Sequence, residues 1–372
     1  MELALYQPGL GYYETDRDRV GFQGDFYTSV STGELFGQLL AFRFAGWLAN
    51  LPQEEDLRIV EAGAHDGRLA KDVMGWLAQH RAELFGRIRY FIVEPSPHRR
   101  EWQREKLAQF GAKVQWVGGL EELGKSVGTP GTPLPEERGN GSQTHAKTTP
   151  LVQRSPKPGG KLHGIIFSNE LLDAMPVHRL GWDATRQEWF EWGVAGDGEA
   201  FVWQKMPVSA GGAKAMTQFP QALLQVLPDG YTIEICPAAI QWWREAAGLL
   251  ARGRLLTMDY GFTMEEMINP SRTKGTVRAY YRHHASDDLL LNAGEQDLTA
   301  HVNFSAIQAA GESAGLKTEG YLTQPQFLTK ILAEAIKDEA FCDWNTSRTR
   351  QFQTLTHPEH LGRAFKVLVQ GR

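Results

Sequence analysis

Acidic and glycine residues cluster in the segment Glu61-Ala-Gly-Ala-His-Asp-Gly67, which follows a short apolar run. Glycine has no Cβ atom, so the backbone of such a turn lets a ligand approach closely, and the N–H groups of a following helix favour anionic groups. The spacing differs from the Gly-x-Gly-x-x-Gly fingerprint of dinucleotide binding. A strand-to-helix turn without a ligand is the alternative. Glu61, Gly63 and Gly67 are therefore candidate cofactor-binding residues.

Glu94 ends the next apolar run, residues 88–94, which predicts a second strand. A carboxylate at the end of a second parallel strand can accept hydrogen bonds from both hydroxyls of a ribose. It lies 27 residues after Gly67, beyond the roughly 20 residues typical of the nicotinamide fingerprint. Glu94 is a candidate for binding an adenosine group, and a solvated or capping glutamate before Pro95 is the alternative.

Three polar side chains, Asn169, Glu170 and Asp173, follow another predicted strand at residues 164–168. Ligands of open α/β sheets bind at the carboxyl edge of the strands. Two carboxylates and an amide on one short turn can hold a cationic acceptor beside a cofactor. A helix N-cap with acids in its first turn is the alternative interpretation.

Residues 21–29 have neither helical nor strand periodicity and combine two glycines with an acid, three aromatic residues, a threonine and a serine. Such a segment is typical of a lid or binding loop, and Asp25 and Thr28 are its candidate cofactor-binding residues. An ordinary packed loop is the alternative. We expect no metal site, because the adjacent His283 and His284 lack partners at ligand spacing, and no nucleophilic catalysis, because the Gly-x-Ser-x-Gly motif is absent.

A sheet must bring these clusters to one edge, and the apolar periodicity predicts the elements that build it. The predicted strands are residues 57–62, 88–94, 113–117, 164–168, 254–259, 318–322 and 365–370, and the predicted helices include 67–79, 97–110, 238–250 and 304–314. Strands that alternate with helices predict a mostly parallel, doubly wound α/β sheet.

Three segments depart from this alternation. Residues 1–50 end in an amphipathic helix and predict an N-terminal cap and lid. Residues 177–233 are an insertion, and residues 177–204 within it alternate like an antiparallel meander. The insertion separates the first part of the core, residues 51–176, from its second part, residues 234–372. Residues 260–300 are a polar insertion with few strand signals. Such insertions at strand ends shape a substrate cleft.

Residues 124–161 contain seven Gly, six Pro, six Lys or Arg and two acids, with no aromatic residue. A segment of this composition cannot bury enough apolar surface to offset its conformational entropy. It is therefore predicted to be a disordered loop, with an interdomain linker as the alternative.

The overall composition excludes several classes of protein. The 372 residues carry a net charge of −5, which disfavours a nucleic-acid partner. Two cysteines, Cys236 and Cys342, are too few for a disulfide framework and fit a reducing compartment. No run approaches about 18 consecutive apolar residues, and the first residues lack a secretory signal, so we expect no membrane insertion and a cytoplasmic location.

Seven sequence blocks together resemble the MidA/NDUFAF7-type family of S-adenosylmethionine (SAM)-dependent methyltransferases, of which we interpret the chain as a bacterial member. The blocks occur in family order: LALYQPGLGYYETDRDRVGFQGDFYTS, ELFGQLLA, IVEAGAHDGRLAKDV, YFIVEPSPHRREWQ, GIIFSNELLDAMPVHRL, LLTMDYG and GTVRAYYRHHASDDLLLNAGEQDLTAHVNF. Two positions depart from the family pattern: His65 stands where the cofactor turn has a glycine, and Asn303 where an aspartate is usual.

The resemblance implies a class I, Rossmann-like methyltransferase fold with helical and β-meander insertions, and SAM as the cofactor. For the mitochondrial relative it implies symmetric dimethylation of an arginine on a respiratory complex I subunit, so a protein substrate, with a complex I-like subunit as one candidate. A guanidinium stays cationic and must be held by carboxylates. Glu170 and Asp173, with Asn169, are therefore the expected catalytic residues.

Two alternatives remain from other classes of function. A nicotinamide-dependent oxidoreductase is disfavoured by the missing Gly-x-Gly pair. A catalytically silent assembly chaperone that binds SAM or a partner subunit would keep the same fold, and His65 in the cofactor turn favours it.

Overall fold

The computed structural model describes residues 1–15, 28–52, 56–126, 160–198, 200–216, 219, 221–269, 272–281 and 284–372. Asp25 and His283 lie outside these ranges, as does most of the predicted loop 124–161. Residues 124–126 of that loop are helical instead, because they complete the last turn of the helix Leu120–Ser126.

The strands of the described chain are β1 (Leu57–Ala62), β2 (Ile88–Val93), β3 (Val114–Val117), β4 (Leu162–Asn169), β5 (His178–Asp183), β6 (Glu188–Asp197), β7 (Ala200–Met206), β8 (Thr232–Ile235), β9 (Leu250–Phe262), β10 (Arg278–Tyr281), β11 (His284–Ser286), β12 (Asp297–Thr299), β13 (Val302–Asn303), β14 (Lys317–Thr323) and β15 (Phe365–Gly371).

The α-helices are α1 (Glu2–Tyr6), α2 (Leu35–Ala49), α3 (Arg68–His80), α4 (Ala82–Arg87), α5 (Pro97–Leu107), α6 (Leu120–Ser126), α7 (Ala210–Met216), α8 (Gln221–Leu224), α9 (Pro237–Leu249), α10 (Met264–Met267), α11 (Phe304–Ser313), α12 (Gln324–Ala335) and α13 (Thr346–Thr356). Short 3₁₀ turns occur at Tyr12–Glu14, Val30–Thr32, Ala108–Lys113 and Glu339–Phe341. None of the helices in the described ranges is long and apolar enough to cross a bilayer.

The main sheet has the strand order β14-β15-β9-β4-β1-β2-β3, and β13 pairs with β9 off this path. Strands β3, β2, β1, β4 and β9 are parallel to one another, whereas β14 and β15 are antiparallel to their neighbours. Because β1 pairs with both β2 and β4, the carboxyl ends of these three strands meet at one edge. The predicted mostly parallel sheet is confirmed.

The central strands are largely apolar, as expected of strands whose two faces are both covered. All six residues of β1 are buried. Side chains of a strand alternate between faces, so Ile59 joins the hydrophobic layer beneath α2 and α3, whereas Val60 joins the layer beneath α9 and α11. The two layers hold the strand ends in fixed positions.

Helix α2 corrects one prediction. The sequence predicts an amphipathic helix within a cap segment, but only Gly46 and Ala49 of α2 are exposed. The helix packs against α3, α12 and α13 within the main hydrophobic layer. Its leucine and phenylalanine residues are buried on most sides because these three helices pack around it.

Two smaller sheets lie in the insertions. The order β7-β6-β5-β8, antiparallel throughout, matches the predicted meander. Within residues 260–300, where few strand signals were expected, β10, β11 and β12 instead form a three-stranded antiparallel sheet. Strands of three or four residues carry too little periodicity to be recognised from the sequence.

Candidate active site

A cavity of about 780 Å³ lies at the carboxyl edge of β1, β2 and β4. Most of the described candidate residues line it: Thr28, Glu61, Gly63, Glu94, Asn169, Glu170 and Asp173. Gly67 lies behind the lining as the N-cap of α3. The topology thus brings the three predicted motifs to one cavity.

The turn after β1 needs left-handed backbone at three positions. Gly63, His65 and Gly67 have φ angles of +74°, +47° and +79°. Left-handed backbone costs a residue with a side chain on the order of 1 kcal/mol, which glycine avoids. His65 therefore carries backbone strain. It stands where the family that the sequence blocks resemble has glycine.

Glu61 is a buried carboxyl at the base of this turn. It is 2% exposed, and the Tyr90 hydroxyl donates a hydrogen bond to its Oε2 atom at 2.6 Å. Burial raises the pKa of Glu61 to about 8, against the opposing effect of the Tyr90 hydrogen bond. The group therefore favours a neutral form until a cationic or donor group approaches it.

Glu94 is held in one orientation by two donors. The Ser96 N–H donates to Oε1 at 3.0 Å, and the Gln103 amide donates to Oε2 at 3.2 Å. The same Gln103 amide donates to the His65 carbonyl at 2.8 Å, and its oxygen accepts a hydrogen bond from the Trp116 indole at 2.9 Å. Gln103 thus joins the turn after β1 to the carboxylate after β2.

Sequence reasoning missed Gln103, although it ends one of the seven sequence blocks, because a single glutamine within a helix does not indicate a binding role. It is fully buried in a helix that is otherwise strongly charged. A polar residue at a core-facing helical position was the available signal.

Glu170 opens the turn after β4 with left-handed backbone, at φ +53°. Its Oε1 atom accepts hydrogen bonds from the Asn169 amide at 3.0 Å and from the Ser29 N–H at 3.3 Å. Burial raises the pKa of Glu170 to about 8, and the nearby Asp259 carboxylate adds to the shift. The carboxyl group is fixed in position and retains its proton near neutral pH.

Asp173 and Asp259 form a buried pair. Asp259 accepts backbone hydrogen bonds from Leu172 at 2.8 Å, Leu171 at 3.2 Å and Tyr260 at 2.8 Å. These donors stabilise the ionised form of Asp259, whose pKa burial raises to about 6. Burial first, and then Asp259, raise the pKa of Asp173 well above its ordinary value. Asp173 therefore carries the proton that the pair shares.

The cavity contains buried oxygens that need donors. Asn169 Oδ1 and Asp173 Oδ1 have no hydrogen-bond partner among the described residues. A buried polar atom without a partner costs about 1–3 kcal/mol. The hydroxyl and amino groups of SAM, and the N–H groups of a cationic acceptor, are donors of the kind that these two oxygens lack. The residues present therefore fit an adenosine-containing cofactor beside a donor-rich acceptor.

Comparison with known proteins agrees with this geometry. Residues 39–322 match the model of a family described as "Putative S-adenosyl-L-methionine-dependent methyltransferase". A crystal structure of a Burkholderia thailandensis protein bound to S-adenosyl-homocysteine is 31% identical, with a TM-score of 0.75, and the match covers 100% of this chain and 86% of that chain.

Curated relatives extend the comparison to mitochondrial proteins. "Protein arginine methyltransferase NDUFAF7 homolog, mitochondrial" of Drosophila melanogaster is 26% identical over 99% of this chain and 79% of its own length. "Protein arginine methyltransferase NDUFAF7, mitochondrial" of Homo sapiens is 26% identical over 98% of this chain and 77% of its own length. The resemblance found from the sequence blocks is confirmed. The chain belongs to the family of SAM-dependent methyltransferases, and SAM is its cofactor.

Proposed function

We propose that this methyltransferase transfers the methyl group of SAM to an arginine side chain of a partner protein. One observation carries the proposal: two buried carboxyl groups with raised pKa values, Glu170 and Asp173, line the cavity that holds the cofactor motifs. A cationic ligand beside such a group lowers its pKa and favours its ionised form. The names of the curated relatives support arginine as that ligand.

We assign the cofactor side of the cavity to the turn after β1 and to Glu94. Glu61, Gly63 and Gly67 would face the amino-acid portion of SAM, and Glu94 its ribose hydroxyls. Thr28, Asn169 and Asp25 complete the proposed set, although Asp25 lies outside the described residues. SAM supplies an electrophilic methyl group on a sulfonium, and in-line transfer of that group requires positioning and electrostatic stabilisation.

The acceptor side would consist of Glu170, Asp173 and Asn169. Ser29 and Asn169 orient the carboxyl group of Glu170, and Asp259 fixes that of Asp173. A guanidinium can donate to both carboxylates once they ionise, and it stays cationic while it is being oriented. A lysine would have to lose its proton before it could attack. The Glu170 carboxylate can accept the proton that the guanidinium releases after transfer.

The partner is proposed to be a protein, and the resemblance of the sequence blocks makes a respiratory complex I-like subunit one candidate. The cytoplasmic location stays a prediction from the sequence.

The test is tritium transfer from labelled SAM into a cell extract, run beside a SAM-binding titration. Glu170→Gln is expected to bind SAM like the wild type but to lose transfer, because a neutral amide cannot neutralise the guanidinium. Glu359→Gln, at an exposed position, is the matched control. Mass spectrometry of the labelled protein identifies the modified residue.

Equal transfer by Glu170→Gln and wild type would contradict the role of Glu170. Label on lysine would contradict arginine as the acceptor. If all variants bind SAM and none transfers label to any protein, the assembly-chaperone alternative replaces the enzyme.

A further inference from the structure

Segments from outside the main sheet close the cavity above Asp173. The Tyr13 hydroxyl donates a hydrogen bond to Asp297 Oδ1 at 2.8 Å, and Asp297 is 2% exposed. The Tyr13 ring stacks on Tyr6 with 5.5 Å between ring centroids. The Tyr6 hydroxyl in turn donates to the Ala174 carbonyl at 3.0 Å. The contacts therefore run from Asp297 back to the residue that follows Asp173.

A second contact closes this path into a ring. The Ala300 N–H, three residues after Asp297, donates to the Asp173 carbonyl at 2.8 Å. Asp297 also pairs across the small sheet with Tyr280. Members of the ring that line the cavity are Tyr6, Tyr13, Asp173, Ala174, Tyr280, Asp297 and Ala300. The N-terminal segment, the turn after β4 and the insertion thus enclose one part of the cavity.

An independent observation indicates that this part of the cavity binds a ligand. Asp173 is 4% exposed, yet its Oδ1 atom has no hydrogen-bond partner in the described part of the chain. Buried oxygens of this kind are normally satisfied, so a donor from a bound group is expected here. Carboxylates and tyrosine rings in one enclosure favour a cationic donor.

We propose that Asp297 contacts the acceptor and selects a guanidinium, with Tyr13 as the residue that positions it. This inference rests on the proposed function and assigns its specificity to residues outside the motif after β4. A planar guanidinium can donate two parallel hydrogen bonds to a carboxylate and stack on a tyrosine ring. The ammonium of a lysine is compact and strongly hydrated, so it gains less binding energy from the same carboxylate and tyrosine ring.

Tyr13 is suited to a positioning role because its ring is itself held in place. The Arg99 guanidinium lies 5.1 Å from the ring centroid, and Arg99 Nε donates to the Tyr13 carbonyl at 3.0 Å. The hydroxyl of a fixed ring orients the Asp297 carboxylate without contacting the acceptor. Tyr13→Phe should therefore keep the packing and lose only that orientation.

The experiment measures binding of small probes to the full chain saturated with S-adenosyl-homocysteine, by NMR titration. The probes are the N-acetyl methylamides of arginine, of lysine and of citrulline, the last being a neutral analogue of arginine. Wild type should bind the arginine probe most tightly. Asp297→Asn should weaken arginine binding at least tenfold, and Tyr13→Phe three- to fivefold, while the affinity for S-adenosyl-homocysteine changes less than twofold.

Asp288→Asn, an exposed acid in the same insertion, is the matched control and should change nothing. Equal binding of the arginine and lysine probes by wild type, or unchanged arginine binding by Asp297→Asn, would overturn the inference. Loss of S-adenosyl-homocysteine binding in Asp297→Asn would overturn it too, since Asp297 would then act through the cofactor site or the fold. If wild type shows the expected selectivity but never transfers label to protein, the proposed function fails and the guanidinium site stands.

Discussion

Replacing Glu170 by glutamine removes one ionisable group from the cavity with little change of shape. Burial raises the pKa of Glu170 from 4.5 to about 8 in the folded chain. Between these two values the folded state binds more protons than the unfolded state. The free energy of unfolding of the wild type therefore falls as pH rises through this window, and it levels off above pH 8. Glutamine does not titrate, so the free energy of unfolding of Glu170→Gln does not fall in this window for that reason.

The magnitude follows from the shift. An upward shift from 4.5 to about 8 corresponds to about 5 kcal/mol at 1.36 kcal/mol per pH unit. Weakened hydrogen bonds from Asn169 and Ser29 oppose the gain by about 1 kcal/mol each. We expect Glu170→Gln to be more stable than wild type by about 2–4 kcal/mol at pH 9, and less stable by about 1 kcal/mol at pH 5, where the wild type has lost little of its stability.

The assay is urea denaturation of the cofactor-free protein at pH 5, 7 and 9, with Glu359→Gln as the matched surface control. The difference in unfolding free energy between Glu170→Gln and wild type should grow with pH, whereas the control should track the wild type throughout. A difference that is independent of pH, or a less stable Glu170→Gln at pH 9, would refute a burial-raised pKa at this position.

The other predictions concern the cofactor side. Glu94→Ala should weaken SAM binding by roughly 1.5–3 kcal/mol, the scale of a lost charged partner, and calorimetry showing an affinity within twofold of wild type would rule out its ribose role. Gln103→Leu should weaken SAM binding by about 1 kcal/mol or more, because both turns lose their common donor; unchanged affinity would show that it is dispensable. His65→Gly should raise the free energy of unfolding by up to about 1 kcal/mol by removing left-handed strain, and a lower melting temperature would show that side-chain contacts of His65 outweigh the strain. Gly63→Val should abolish SAM binding, because even its Cβ atom would lie 2.9 Å from Leu171 Cδ1 at a φ of +74°; retained binding in calorimetry would contradict this.

The central strands could be predicted because their signal is local. Residues 57–62 are apolar enough to be buried on both faces and end at a glycine turn, so the predicted and observed bounds of β1 coincide. The order of β4 beside β1 follows from the family's fold, and the structure confirms it. The signal for such a strand lies in contiguous residues, so it can be recognised in a single sequence.

The contacts that complete the cavity could not be predicted because their partners are distant in the sequence. Tyr13 and Asp297 are 284 positions apart, and although each lies in a recognised sequence block, nothing in either block indicates that the two side chains meet. Gln103 acquires its role only when β1, β2 and β3 lie side by side. These pairings depend on tertiary packing, which periodicity does not report.

The buried pair of Asp173 and Asp259 has a consequence for ligand exchange. Backbone donors stabilise the ionised form of Asp259, whereas Asp173 and Glu170 stay protonated near neutral pH. The protons of Asp173 and Glu170 therefore compete with a cationic acceptor for these two carboxylates. A cation that enters must displace up to two of them, and its apparent affinity should rise with pH by as much as tenfold per unit for each proton released. Binding of a cation in this enclosure is therefore coupled to release of the protons of Glu170 and Asp173.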